Sequence, residues 1–265
     1  MKIIISPAKK MNRREEEFSG ISRPIFYKDA CFLRDELKKM DFESLKALWK
    51  CNEKIARENQ ERLRTYEMDK NLTCAVIAYE GIQYQYMAPM VLTNNGWKYA
   101  QEHLRILSGL YGILRPQDGV IPYRLEMQAK LKIGKYKDLY EFWGDRIYRE
   151  LIKEDRVILN LASKEYSRSI EKYLEKDIRY ITCIFGEKIQ GKIKVKATKA
   201  KMARGEMVRW LSENQIEEPE KIKEFHGLDY RYREEYSSDT EFVFLEKSRI
   251  RRKSGEKGKG SKRDH

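Results

Sequence analysis

Residues 103–127 read HLRILSGLYGILRPQDGVIPYRLEM, the longest distinctive run of the chain, and the fold turns on how it is read. Leu104–Leu114 is apolar with glycines at 109 and 112. It reads either as strand or as two helical ends meeting at Gly109–Gly112. The helical reading suggests a helix-hairpin-helix module, whose hairpin N–H groups grip a DNA backbone. Such a hairpin usually has glycines two apart, and here they stand three apart. Arg115-Pro116-Gln117-Asp118-Gly119 is turn chemistry. Beyond it, Arg124 and Glu126 are two apart, which puts them on one side of a strand.

Working outward, Lys2–Ile5 reads as a short buried strand, and Ser6-Pro7 as a helix start with Ser as cap and Pro at the first position. The pattern then predicts a helix over Asp29–Met40 and a second over 42–65 capped by Asp41, with a strand at Thr73–Tyr79. A helix through His103 precedes the central run. Asp138 and Glu141 form a capping box. It leads an apolar helical stripe through Leu139, Phe142, Trp143, Ile147 and Leu151. Arg156–Leu161 is a buried strand, Ser163 starts a helix, and Ile178–Phe185 pairs with Lys192–Lys196. Thr198 opens a helix to about Asn214, and Glu241–Leu245 is the last strand. Strands and helices mix without strict alternation, so the expected fold class is α+β, a single compact domain with a mixed β-sheet flanked by helices.

The chain has 265 residues, 41% apolar and 37% charged, with a net charge of +13. Its apolar runs are far shorter than the roughly 20 residues of a membrane span. Lys2 is followed by only three isoleucines before Ser6-Pro7, short of the secretory apolar stretch of about 7–15 residues. The expected location is therefore cytoplasmic. Residues 247–265 hold nine Lys/Arg against Glu256 and Asp264. With almost no apolar content they read as a disordered basic tail behind a domain of residues 1–246. Such a tail attracts nucleic acid without reading sequence. Cys31, Cys51, Cys74 and Cys183 form no CxxC, and the three histidines have no ligand spacing, so no metal or cofactor is expected. P-loop, GxGxxG, HExxH and GxSxG patterns are absent from the sequence.

Five segments carry candidate chemistry. Ser6 and Lys9 follow a strand end that can present backbone N–H groups to an anion. Glycines beside Ser108 let backbone approach a ligand. Arg124 can hold a phosphate or carboxylate, or pair with Glu126. Asn160, Ser163 and Tyr166 stand at the carboxyl end of a buried strand, where open α/β sheets bind ligands. Lys201, Arg204 and Arg209 span about 140° of a helix surface, a basic face suited to phosphate. Gly205 in mid-helix costs about 1 kcal/mol relative to Ala and signals close approach of another element. Each segment also has a plain alternative, respectively a strand-to-helix turn, a packing bend, a structural salt bridge, a helix cap and a solvated face.

Together ISPAK (5–9), the 103–127 run, LYEFWGD (139–145), VILNLASKEY (157–166) and AKMARGEM (200–207) resemble the bacterial YaaA family of peroxide-stress proteins over about residues 1–246. The resemblance implies a cantaloupe-type mixed fold with a basic cleft, a helix-hairpin-helix-like element, DNA binding, and a peroxide-stress role that lowers free intracellular iron. It carries Ser6, Lys9, Ser108, Gly109, Tyr111, Gly112, Arg115, Arg124, Glu126, Asn160, Ser163, Tyr166, Lys201 and Arg204 as DNA- or anion-binding candidates. Where some members have lysine before glycine, this chain has Glu80-Gly81. The resemblance thus points to a peroxide-stress protein that binds double-stranded DNA without sequence preference. The alternative is an enzyme acting on a small anionic substrate in a polar cleft.

Overall fold

Ile3, Ile4 and Ile5 are fully buried, and this short run becomes the central strand of the molecule. The structure, a computed structural model, describes residues 1–14 and 21–247; the expected basic tail beyond Lys247 lies outside the described residues. In chain order the strands are β1 (Lys2–Ile5), β2 (Lys10–Met11), β3 (Thr73–Cys74), β4 (Tyr79–Glu80), β5 (Leu104–Ser108), β6 (Gly112–Leu114), β7 (Gly119–Val120), β8 (Val157–Leu161), β9 (Arg179–Ile189), β10 (Lys192–Lys194), β11 (Tyr230–Tyr232) and β12 (Glu241–Glu246). The α-helices are α1 (Tyr27–Lys38), α2 (Phe42–Trp49), α3 (Glu53–Thr65), α4 (Ala75–Ala78), α5 (Ile82–Met87), α6 (Asn94–His103), α7 (Leu139–Trp143), α8 (Arg146–Glu154), α9 (Lys164–Glu171) and α10 (Ala197–Asn214).

The main sheet runs β11-β12-β9-β8-β1-β5-β6, with β10 also paired to β9. Its centre, from β12 to β5, is parallel, and its margins β6, β10 and β11 are antiparallel. A parallel sheet is covered on both faces, so its strands read as continuous apolar runs. The runs Ile3–Ile5, Ile106–Leu107 and Ile158–Leu159 fit that rule and are buried throughout. The result is the expected mixed sheet flanked by helices.

After β1 the chain places β5 on one side, then returns to place β8, β9 and β12 on the other. The direction of winding therefore reverses at β1. In open α/β sheets such a reversal opens a crevice at the carboxyl ends of the strands. Here those ends are Ile5 and Leu161, which lie side by side in register.

Several local expectations change. Ser6-Pro7 opens no helix; the chain continues into β2, which pairs with β4. The helix expected over 42–65 is two, because Lys50 turns left-handed (φ 46°) and Asn52 caps α3 by accepting the Ile55 N–H at 3.0 Å. The strand expected over Thr73–Tyr79 is interrupted by α4. There the N–H groups of Ala75 and Val76 bond to the carbonyls of Asp118 and Pro116 at 2.9 and 3.1 Å, and not to a neighbouring strand. Leu104–Leu114 is a β-hairpin, with Ser108 opposite Gly112, so the glycines join two strands and not two helices. Arg124 and Glu126 lie on irregular backbone, outside any strand. The stripe behind the Asp138 cap is buried as expected but is divided between α7 and α8.

Candidate ligand-binding cleft

The carboxyl ends of β1 and β8 are tied together by two serines. The Ser163 N–H donates to Ser6 Oγ at 2.8 Å, and the Ser6 hydroxyl donates to Ser163 Oγ at 3.1 Å. Ser163 precedes α9 but its side chain does not cap that helix. Both serines line a cleft of about 400 Å³ at the winding reversal. One wall is the irregular segment Tyr123–Glu126. The opposite wall is built from α5 and α10.

Gly205 makes that second wall possible. A Cβ at this position would lie 2.1 Å from the Gln83 carbonyl oxygen, so only glycine lets α10 approach α5 so closely. The approach places Gln83 beside Lys201 and Arg204 in the cleft lining. Gly109 has the same role in the first wall. A Cβ there would lie 2.4 Å from the Leu125 carbonyl oxygen, so the β5–β6 turn sits directly beneath the segment bearing Arg124 and Glu126.

Five basic side chains line the cleft (Lys9, Lys10, Arg124, Lys201, Arg204) against three carboxylates (Glu80, Glu126, Glu165). Lys9 pairs with Glu126 at 2.9 Å and Lys10 with Glu80 at 2.7 Å. Arg124 Nε donates to the Trp49 carbonyl at 3.2 Å, leaving its charge without a carboxylate among the described residues. Arg204 Nε and Gln83 Nε2 are buried with no hydrogen-bond partner among the described residues. Gln83 is only 7% exposed. Buried donors are nearly always satisfied, so these two stand out in the cleft lining. Burial lowers the Arg204 pKa, although a guanidinium stays charged at any ordinary pH. Glu165 is raised by burial, and the neighbouring Glu126 carboxylate adds to the effect.

The floor is phenolic. Tyr84, Tyr123 and Tyr166 line the cleft. Tyr84 donates its hydroxyl proton to the Ser6 carbonyl at 3.0 Å. Tyr123 lies 2.7 Å from the Tyr79 hydroxyl and 2.6 Å from Ser108 Oγ. Burial pushes Tyr123 up to about 12 and holds Tyr84 and Tyr166 well above the usual phenol value.

Residues 1–236 match the sequence profile of a family described as peroxide stress protein YaaA. The chain is 52% identical over 247 residues to a UPF0246 protein of Agathobacter rectalis, covering 93% of this chain and 99% of that protein. It is 49% identical over 245 residues to one of Pediococcus pentosaceus, covering 92% and 98%. A third, from Desulfitobacterium hafniense, is 51% identical over 245 residues, again covering 92% and 98%. The chain belongs to the YaaA peroxide-stress family.

Eight of the residues that the YaaA resemblance singled out converge on the cleft: Ser6, Lys9, Arg124, Glu126, Ser163, Tyr166, Lys201 and Arg204. Ser108 lies just beneath it, bonded to Tyr123. The other five stand outside the lining of the cleft in this YaaA-family chain. Asn160 bonds to Thr182 and to the Ala162 N–H, bracing β8. Tyr111 is fully buried and its hydroxyl accepts the Ile121 N–H at 3.3 Å. Gly109 and Gly112 belong to the hairpin, Gly112 against the Trp143 ring. Arg115 is locked to Asp118 at 2.9 Å within its turn. Arg209 pairs with Glu213, so the expected three-residue basic face narrows to Lys201 and Arg204. Glu80 pairs with Lys10 in the cleft lining. Gln83, Tyr84, Tyr123 and Glu165 line the cleft without having been anticipated. The one sequence signal toward them was the misfit Gly205, which marks where α5 and Gln83 approach.

Proposed function

We propose that the protein serves peroxide-stress resistance by binding a small phosphate- or carboxylate-bearing ligand in this cleft, in the cytosol. The carrying observation is the pair of unpartnered buried donors, Arg204 Nε and Gln83 Nε2, on one wall. An oxyanion that reaches both donors satisfies them, and the exposed Lys201 lines the same cleft. The mixture of serines, phenols and carboxylates around that anchor suits a compact molecule with its own hydrogen-bonding groups better than a bare phosphate chain. Among the described residues no group of three or more His, Cys, Asp or Glu is placed to hold a metal ion. On this reading the lowering of free iron that the family resemblance implies follows indirectly from ligand binding.

A second reading, double-stranded DNA held through its phosphates without sequence preference, is favoured by the net charge of +13 and by Lys201 standing exposed beside Arg204. On that reading the anion between Arg204 and Gln83 is a DNA phosphate. Thermal-shift measurements with inorganic phosphate, nucleotides and short duplexes separate the two. A ligand that binds only the folded state raises the melting temperature with its concentration. A rise with small phosphate compounds, lost in Arg204→Met, supports the cleft reading. A rise with duplex alone transfers the site to DNA, and no rise with any of them removes both.

A further inference from the structure

Resting on the reading of the cleft as an anion site, we infer that Tyr123 presents its hydroxyl proton to the bound ligand, because Tyr79 and Ser108 both donate to its oxygen. The inference is an accounting of three protons. Tyr79 is almost fully buried, and among the described residues its hydroxyl has one partner, Tyr123 at 2.7 Å. Ser108 is fully buried; its Oγ already accepts the Tyr111 N–H at 2.9 Å, and among the described residues its other partner is Tyr123 at 2.6 Å. The Tyr79 and Ser108 protons therefore have one acceptor between them, the Tyr123 oxygen.

If Tyr123 donated to either neighbour, that neighbour's own proton would be buried without an acceptor, which is costly. Only one arrangement satisfies both buried protons, with Tyr79 and Ser108 each donating to Tyr123. The Tyr123 proton then has no acceptor among the described residues, and Tyr123 is the one residue of the three that lines the cleft. Two donors on its oxygen strengthen its own O–H as a donor, and burial keeps the phenol protonated, so it offers a hydrogen bond to the ligand and not a proton transfer. The chemistry that fits is a ligand oxygen or ring nitrogen able to accept a hydrogen bond, held while its oxyanion occupies Arg204 and Gln83.

Neutron diffraction from crystals of the full chain exchanged into D2O reads the three deuterons directly. The Tyr79 and Ser108 deuterons should lie on the lines to Tyr123 Oη, with the Tyr123 deuteron directed into the cleft. A Tyr123 deuteron directed at Tyr79 or Ser108 overturns the inference. In a parallel calorimetric titration with inorganic phosphate, Tyr123→Phe should weaken binding about tenfold, the scale of one hydrogen bond to a charged group. Unchanged affinity in Tyr123→Phe, with wild-type binding intact, also counts against it. Failure of the wild type to bind phosphate removes the anion reading alone, because the neutron map still decides the direction of the protons.

Discussion

Arg204 holds a guanidinium in the cleft wall with its Nε buried and no carboxylate beside it among the described residues. A buried polar group without a partner destabilises the fold, and sites kept for function commonly carry that cost. Arg204→Met is therefore expected to raise folding stability by about 1 kcal/mol in chemical denaturation while abolishing anion binding. A clear loss of stability would instead give the guanidinium a structural role. Glu165 gives a pH test. Its folded pKa is raised, so between the ordinary carboxylate value and the raised one the folded state keeps a proton that the unfolded state has released. Its contribution is complete below about pH 4 and is lost as pH rises through the folded value. Glu165→Gln should match the wild type in melting temperature at pH 4 and exceed it at pH 7; equal melting temperatures at both would contradict this. At this scale the sequence pointed to residues by their own type and position, and Ser6, Lys9, Arg124, Lys201 and Arg204 do line the cleft. Tyr123 was not legible in this way, because its role depends on Tyr79 and Ser108, 44 and 15 positions away in the chain.

At the scale of elements, the contact between α5 and α10 decides the shape of the cleft. Gly205→Ala sets two effects against each other. Helix propensity favours alanine by about 1 kcal/mol. Overpacking costs about 1–3 kcal/mol. The clash is with the Gln83 backbone, which cannot swing aside as a side-chain tip does. Overpacking should win, so Gly205→Ala is expected to lose stability in urea and to lose anion binding as Gln83 and Arg204 separate. A stabilised variant would mean that α5 moves freely. The same scale explains which elements could be read in advance. β1 and β8 are buried on both faces, so hydrophobic runs alone declared them. The break at α4 was hidden, because its first two N–H groups are satisfied by the turn at Pro116 and Asp118, some 40 residues later. The division of α2 from α3 did carry a local sign, the capping residue Asn52, which the continuous apolar face obscured. In Leu104–Leu114 an apolar run broken by glycines fits hairpin and helical turn alike. Only the pairing of β5 with β1 resolves it.

For the whole molecule, the reversal of winding at β1 brings residues from 6 to 204 into one crevice, which is why five dispersed segments share a site. The net charge of +13 is a property of the same scale and bears on nucleic acid. If DNA contacts the folded region, deleting residues 248–265 should leave binding that falls steeply with salt and weakens in Lys201→Ala. Binding that disappears with those residues would assign it to their charge alone. No helix among the described residues is long and apolar enough to cross a membrane.

The central claim is that the cleft is an anion site anchored by Arg204 and Gln83. Its most direct test is calorimetric titration of the full chain with inorganic phosphate, beside Arg204→Met. The account predicts saturable binding at one site in the wild type and none in the variant. Absence of saturable binding, or equal binding in both proteins, would contradict it.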